Sequence, residues 1–402
     1  MGFGQGLSGL NAASQNLDVI GNNIANASTI GFKAATASFA DVYATSRVGL
    51  GVQVAAINQR FATGSIVEGN GSLNMALNDK GFFRLQDTTG GVVYSRNGEF
   101  GLDKDNYVVN ALGQRLTGYP GGGVGQDPVQ LQLALGDVAP TATTTAQLTA
   151  NLRAGATPIP ATPAFDITNA DTYTNRATMT VYDSLGNGHT MDQYFIKREG
   201  AGGNSVYEVR YVLDGTERVQ GTPQQLTFDE NGTIVAPLTP VSMTFPNPGG
   251  TTSPADDMTI AFNYGKVTQF AGDFSNTPLP NGNASGTFSG LAVGADGSIV
   301  ASYSSGAKTV IGTVALARFN NEMGLTPIGG NAWSESPESG QPVLGQPGTN
   351  SLSTITGGKL EASNVNTSDE LVNMIIAQRT YQANAQTIKT QDQVLQTLLQ
   401  IR

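Results

Sequence analysis

Mainly β with α-helical termini is the fold class this 402-residue sequence predicts, with the terminal helices pairing as a coiled coil around nested β-rich domains. Three observations carry it. Apolar residues recur at helical spacing only near the two ends; the text between them alternates short apolar runs with turn residues; and 51 Gly and 18 Pro supply the punctuation that many tight turns need.

The first segment reads as a helix because Phe3, Leu10, Leu17 and Ile24 recur every seven residues, with Leu7, Ala13 and Ile20 between them. At the other end Met374, Tyr381, Ile388 and Leu395 form one heptad series, and Leu371, Gln378, Ala385, Asp392 and Leu399 a second. On pattern alone such stripes serve an ordinary core face more often than a coiled coil. Here each lies at a chain end, without neighbouring elements to bury it, so pairing with the other is the economical solution. The remaining faces are amide and hydroxyl rather than Lys and Glu, as in Asn11, Ser14, Gln15, Asn16, Gln382, Gln386 and Gln396. That composition suits packing against other subunits.

Between the ends, residues 81–120 read as a meander of hairpins. FGLDKDNYVV (100–109), LTFDENGTIV (226–235) and LAVGADGSIV (291–300) repeat one pattern of strand, acidic or amide turn, strand. Asp103 and Asp105 raise the idea of a calcium loop, but the Gly at the sixth position and the distal Glu are missing, so a plain hairpin is the better reading. A Gly/Pro/Thr-rich passage over 120–165 separates a further run of strands. The expected organisation is nested: residues 1–26 with 367–402 as the helical coiled-coil domain, 27–70 with 359–366 as connection, 71–146 with 284–358 as an inner β domain, and 147–283 as an outer β domain.

Charge follows the same nesting. Residues 1–70 carry Lys33, Arg47 and Arg60 against Asp18, Asp41 and Glu68, and residues 359–402 carry four charges of each sign, so the net −10 falls in the middle. Neutral ends can crowd against copies of themselves while an acidic middle stays solvated. The acidic balance excludes a nucleic-acid partner, which needs clustered Lys and Arg. With no Cys there are no disulfides or thiolate metal sites. No basic n-region precedes an apolar stretch and no run approaches the roughly 18 apolar residues of a membrane span, so neither a secretory signal peptide nor membrane insertion is expected.

Catalytic constellations are absent from the sequence. Gly4, Gly6 and Gly9 spell G-x-G-x-x-G, but no strand precedes them, so they read as glycines of a fraying helix start. His189, the one histidine, falls in DSLGNGHTMD and reads as an exposed hairpin-turn residue. Asp256 and Asp257 read as a solvated loop. The expectation is a protein that is not an enzyme and takes no cofactor.

LNAASQNLDVIGNNIANASTIGFKAATASFADVY (10–43) resembles the N-terminal signature of the flagellar axial proteins, the rod and hook family, above all at Asn22-Asn23-Ile24-Ala25-Asn26 and at Thr29, Gly31, Phe32 and Lys33. LEASNVNTSDELVNMIIAQRTYQANAQTIKTQDQVLQTLLQIR (360–402) resembles the family's C-terminal signature, including Ser363-Asn364-Val365, Glu370-Leu371, Gln378-Arg379 and Asn384, and the block from GFFRL to Leu116-Thr117-Gly118-Tyr119 is similar to its shared β domain. The length of the middle and the SFADVY stretch (38–43) favour the hook members over the shorter distal rod proteins, which remain the alternative; a non-flagellar adhesin is the remote one. The resemblance implies a subunit that self-assembles into the curved tube of the flagellar hook, linking basal-body rod to filament and passing torque while bending. It implies as partners further copies of the chain, the distal rod protein, the hook–filament junction protein, a hook cap during growth and the flagellar type III export apparatus, with export free of a cleaved signal. The residues expected to carry assembly are Leu10, Leu17, Ile20, Asn22, Asn23, Ile24, Asn26, Thr29, Gly31, Phe32, Leu371, Met374, Tyr381, Ile388 and Leu395.

Overall fold

The computed structural model describes residues 2–42, 49–121, 123, 126–200, 203–217, 223–250 and 253–400. Tyr43, which closes the SFADVY stretch, lies outside them, and so does the side chain of Leu399. The chain divides into two units: Met1–Leu135 with Gly290–Ser302 and Lys308–Arg402, and Gly136–Ser289 with Tyr303–Ala307.

In the first unit, helix α1 (Gly2–Ala25) is followed by the antiparallel hairpin of β1 (Ala35–Val42) and β2 (Gly51–Gln59), and the chain closes with helix α2 (Thr367–Gln400). The stretch expected only to connect therefore contains a hairpin, and that hairpin packs on α1. Its docking is built by Asn23, whose side chain both donates to Ala35 O (2.8 Å) and accepts from Ala35 N (2.9 Å), fixing the first residue of β1 to the end of the helix. Further along, Ser8 Oγ accepts from Val52 N at 3.3 Å. Helix α2 starts where Asn366 Oδ1 accepts from Ser368 N (3.0 Å), an N-cap, and Asp369 and Glu370 then favour the positive end of the helix.

The β body of this unit is one large sheet in which Arg115–Pro120, Phe82–Gln86, Val92–Ser95 and Ala332–Ser334 lie side by side. Successive residues of a strand face opposite sides, so the fully buried neighbours Phe82 and Phe83 serve different cores. Phe83 and Leu85 join Leu116, Val314 and Leu316 on one face; Phe82 meets Tyr94, Phe319 and Trp333 on the other, with Phe61 edge-on to Trp333 at 5.4 Å.

The second unit is a β-sandwich. Met258–Thr268 and Thr145–Asn151 run parallel in a four-stranded sheet, and Asn175–Tyr182, Gly188–Arg198 and Ser205–Leu213 lie side by side, the first at the edge, in a six-stranded one. Side chains from both enclose a single core, including Leu148, Phe195, Tyr207, Phe228, Ile260 and Phe262. The repeated hairpins form as expected, and their acidic side chains are spent on their own turns. Asp103 Oδ1 accepts from Asp105 N and Tyr107 N (2.8 and 2.9 Å), and Asp229 Oδ1 from Asn231 N and Thr233 N (3.0 and 2.8 Å). His189 departs from expectation. It is 7% exposed, with Nδ1 2.7 Å from Asp214 Oδ2 and Nε2 3.3 Å from Asp183 Oδ2, so it clamps two turns together from inside. Its strand pairs with the next as far as Leu213, which carries the turn at Asp214 back over the ring.

Candidate assembly site

The two helices run antiparallel, Gly6 and Gly9 meeting Asn384 and Ile388 while Ala12 and Ala13 lie near Ile376 and Ala377. Small residues set the distance. A Cβ on Gly6 would stand 3.0 Å from Ile388 Cγ1, and one on Gly9 would stand 2.8 Å from Asn384 Oδ1. These glycines are therefore close-approach positions, not a frayed start.

The seam differs from the expected one in register. On α2 the less exposed positions are Glu370, Met374, Ala377, Asn384, Ala385, Ile388 and Gln391, so that of the expected Leu371 series Ala385 alone among the described side chains is half-buried. The Met374–Ile388 series thus faces α1, but its companion lies one residue earlier than the Leu371 series, and Leu371 itself is 51% exposed. Ala377 and Asn384 fit against glycine and alanine where leucine would hold the helices apart. Tyr381 and Leu395 belong to the inward series yet remain exposed. On α1, Ala13 and Ile20 are buried and Leu10, Leu17 and Ile24 half-buried, whereas Phe3 and Leu7 turn outwards. Helix α1 is covered on a second side by the hairpin, which buries Ala12, Val19 and Asn23. Asn22 is exposed at the helix end, and Asn26, Thr29 and Phe32 are half-buried in the turn that follows, where Thr29 Oγ1 donates to Asn26 Oδ1 at 3.1 Å.

Below the seam lies a knot that joins both ends of the chain to the β body. Glu361 Oε1 pairs with Lys33 Nζ at 2.6 Å and accepts from Gly64 N at 2.8 Å, while its Oε2 is 3.3 Å from Arg96 Nη1. All three charged side chains are buried, and Arg96 lies over the face of Phe82, 5.3 Å from the ring centroid. Burial, and secondly the Arg96 charge, push the Lys33 amine below its ordinary range, against the opposing pull of Glu361. Burial likewise lowers Arg96. Gly31 donates its N–H to Glu361 O (2.8 Å) at φ +70°, and a Cβ there would stand 2.6 Å from Asn97 N, so only glycine fits. Asn364 completes the knot, accepting from Ala34 N (2.8 Å) and donating to Arg60 O and Ala62 O (2.6 and 2.9 Å). Sequence reasoning singled out Gly31, Lys33 and Asn364 but missed Glu361 and Arg96 as partners. Nothing in the spacing of residues 328 and 265 apart signals such a pairing.

What the helices do not cover is as telling. Leu371, Val372, Ile375 and Ile376 form an exposed apolar stretch on α2, and Phe3 and Leu7 another on α1. Contiguous apolar surface of this kind marks an interaction site. A helical hairpin with bare apolar faces, tied by a buried knot to a β body, defines a self-associating structural subunit.

Comparison with known proteins specifies the class. Family models match along the chain: "Flagella basal body rod protein" over residues 5–33, "Flagellar hook protein FlgE/F/G D1 domain" over 76–150, "Flagellar basal body protein FlaE D2 domain" over 147–282 and "Flagellar basal body rod FlgEFG protein C-terminal" over 356–401. The flagellar hook proteins FlgE of Escherichia coli (strain K12) and Salmonella typhimurium (strain LT2) are each 42% identical, covering 100% of both chains. That of Borreliella burgdorferi is 29% identical over 99% of this chain and 98% of its own. The crystal structure of Helicobacter pylori flagellar hook protein FlgE2 shares the fold, with a TM-score of 0.51 over 74% of this chain and 100% of that one at 14% identity. The chain belongs to the flagellar hook protein family, a family of structural proteins and not of enzymes. Among the described residues no helix is long and apolar enough to cross a membrane.

Proposed function

We propose that this chain is the repeating subunit of the flagellar hook, the flexible curved tube that connects the basal-body rod to the filament and transmits motor torque. The observation that carries the reading is the terminal helical hairpin, which leaves Leu371, Val372, Ile375 and Ile376 uncovered in a single chain and so calls for neighbours of the same kind. In this reading Leu10, Leu17, Ile20, Met374 and Ile388 hold the helical pair together, and the exposed Leu371, Tyr381 and Leu395 meet other subunits. Residues 147–283 form an outer domain that tunes bending rather than holding the tube. The distal rod protein and the hook–filament junction protein cap the two ends, a hook cap guides growth, and subunits arrive through the flagellar type III route without a cleaved signal. The end-to-end match to hook relatives favours this over a distal rod subunit.

Electron microscopy of the purified, concentrated chain tests the central claim, alongside restoration of swimming in a hook-deficient strain. Curved tubes and restored motility are expected. A chain that stays monomeric at high concentration and leaves the strain immotile overturns the reading.

A further inference from the structure

Helix α1, helix α2 and the β1–β2 hairpin enclose a groove of about 420 Å³ lined by Ala12, Ala13, Phe39, Val52, Ile376 and Ala377 among others. Among the described residues, none that lines it is charged. Mostly apolar clefts of this size are built to be filled. We propose that each groove seats the Phe3–Leu7 ridge of a second copy of this chain.

The choice of occupant follows from geometry and charge. Phe3 and Leu7 are four residues apart, hence neighbours on one face of α1, and both are 47% exposed. At 3.6 residues per turn they point away from Gln5, Gly9, Ala12 and Asn16, which line the groove from the opposite side of the same helix. A rigid helix cannot place its own residues 3 and 7 into a groove formed across its back. Ridge and groove therefore pair only between copies, and they pair head to tail. A heterologous contact of that kind does not close on itself as a two-fold dimer does; it propagates into a ring or an open helical array. Charge selects this ridge over the other exposed one. The α1 segment carries no charged side chain before Asp18, whereas Leu371, Val372 and Ile375 are flanked by Asp369, Glu370 and Arg379, which the uncharged described lining of the groove would have to desolvate.

The inference rests on the hook-subunit reading, and the experiment separates the two. The chain has no Cys, so single cysteines can be placed without interference. A Leu7→Cys chain and a Thr380→Cys chain, Thr380 being at the groove, are mixed in equal amounts, assembled and oxidised. Neither can form the link within itself. The expected result is a disulfide-linked dimer of one chain of each kind in tubes and none in the unassembled mixture. Tubes without that dimer overturn the ridge-in-groove seat and leave the hook reading standing; wild-type chain that makes no tubes overturns both. Thr380→Phe, which fills the groove from an exposed position, supplies a second measurement. It should raise the critical concentration for assembly at least tenfold while the monomer keeps its melting temperature and Trp333 emission. Assembly at the wild-type concentration would contradict the proposal.

Discussion

Glu361→Gln isolates the electrostatics of the knot. The substitution keeps the size of the side chain and an oxygen able to accept from Gly64 N, but it leaves Lys33 and Arg96, 1% and 0% exposed at their side chains, without a counter-charge. Removing one partner of a buried ion pair costs about 3–5 kcal/mol. An independent bound agrees. The cheapest escape is for Lys33 to lose its proton, and at pH 7 an amine of ordinary pKa 10.5 does so at a cost of about 5 kcal/mol, of which burial has already taken part. For a unit of this size, 3–5 kcal/mol lowers the melting temperature by roughly 10 °C. The pH dependence is diagnostic. A lysine whose folded pKa lies below its unfolded one binds fewer protons in the native state, so stability rises as pH climbs through the folded value towards 10.5. The variant should therefore regain stability between neutral and alkaline pH, and adding Lys33→Met should recover part of the loss at pH 7. Trp333, the only tryptophan and buried in the same unit, reports the transition in guanidinium titrations. A variant within 1 kcal/mol of wild type, or one indifferent to pH from 7 to 10, refutes the reasoning.

Ile388→Asp places a carboxylate against Gly6 and should abolish tubes while Trp333 unfolding stays at the wild-type midpoint; tubes of normal yield would remove Ile388 from the interface. Proteolysis of the unassembled chain should trim most of α1 and α2, since an isolated helical pair is marginal, but stop near residues 29 and 366 because the knot holds both segments; mass spectrometry of the resistant core decides, and cleavage at 40–60 or 340–358 would show the knot to be weak. In the second unit, burial raises Glu208, but hydrogen bonds and charge from Arg198 and Arg210 outweigh it and hold its pKa below the ordinary 4.5. Its contribution is present above pH 4.5 and lost as pH falls through the folded value, so hydrogen-exchange protection factors in 205–213, corrected for the intrinsic pH dependence of exchange, should fall on acidification, less steeply in Glu208→Gln. Replacing 147–283 by a short Gly/Ser linker should leave tubes that form but are straighter by electron microscopy; a folded, soluble truncation that makes no tubes would put those residues in the lattice.

The sequence by itself determined whatever depends on neighbours within a few positions. Heptad spacing located α1 and α2, alternation located the strands of 81–120, and Asp103 and Asp229 made the turns their spacing requires, because helix faces, pleats and turns are set by residues i to i+4. It also picked out Gly31, Lys33 and Asn364 without saying what they touch. Tertiary structure decided the partners. Heptad spacing paired the Met374 series on α2 with the Leu371 series, and the small surface of Gly6, Gly9 and Ala13 put Ala377 and Asn384, one residue earlier, in its place, since helices approach closely where side chains are short. The hairpin on α1 turned a single predicted stripe into two buried sides and left Phe3 and Leu7 outside. His189 became internal because a neighbouring strand carried Asp214 over it. Glu361 met Lys33 and Arg96 because folding brought both chain ends to one point on the β body, where burial makes a charge find its counter-charge however far away in sequence that residue lies.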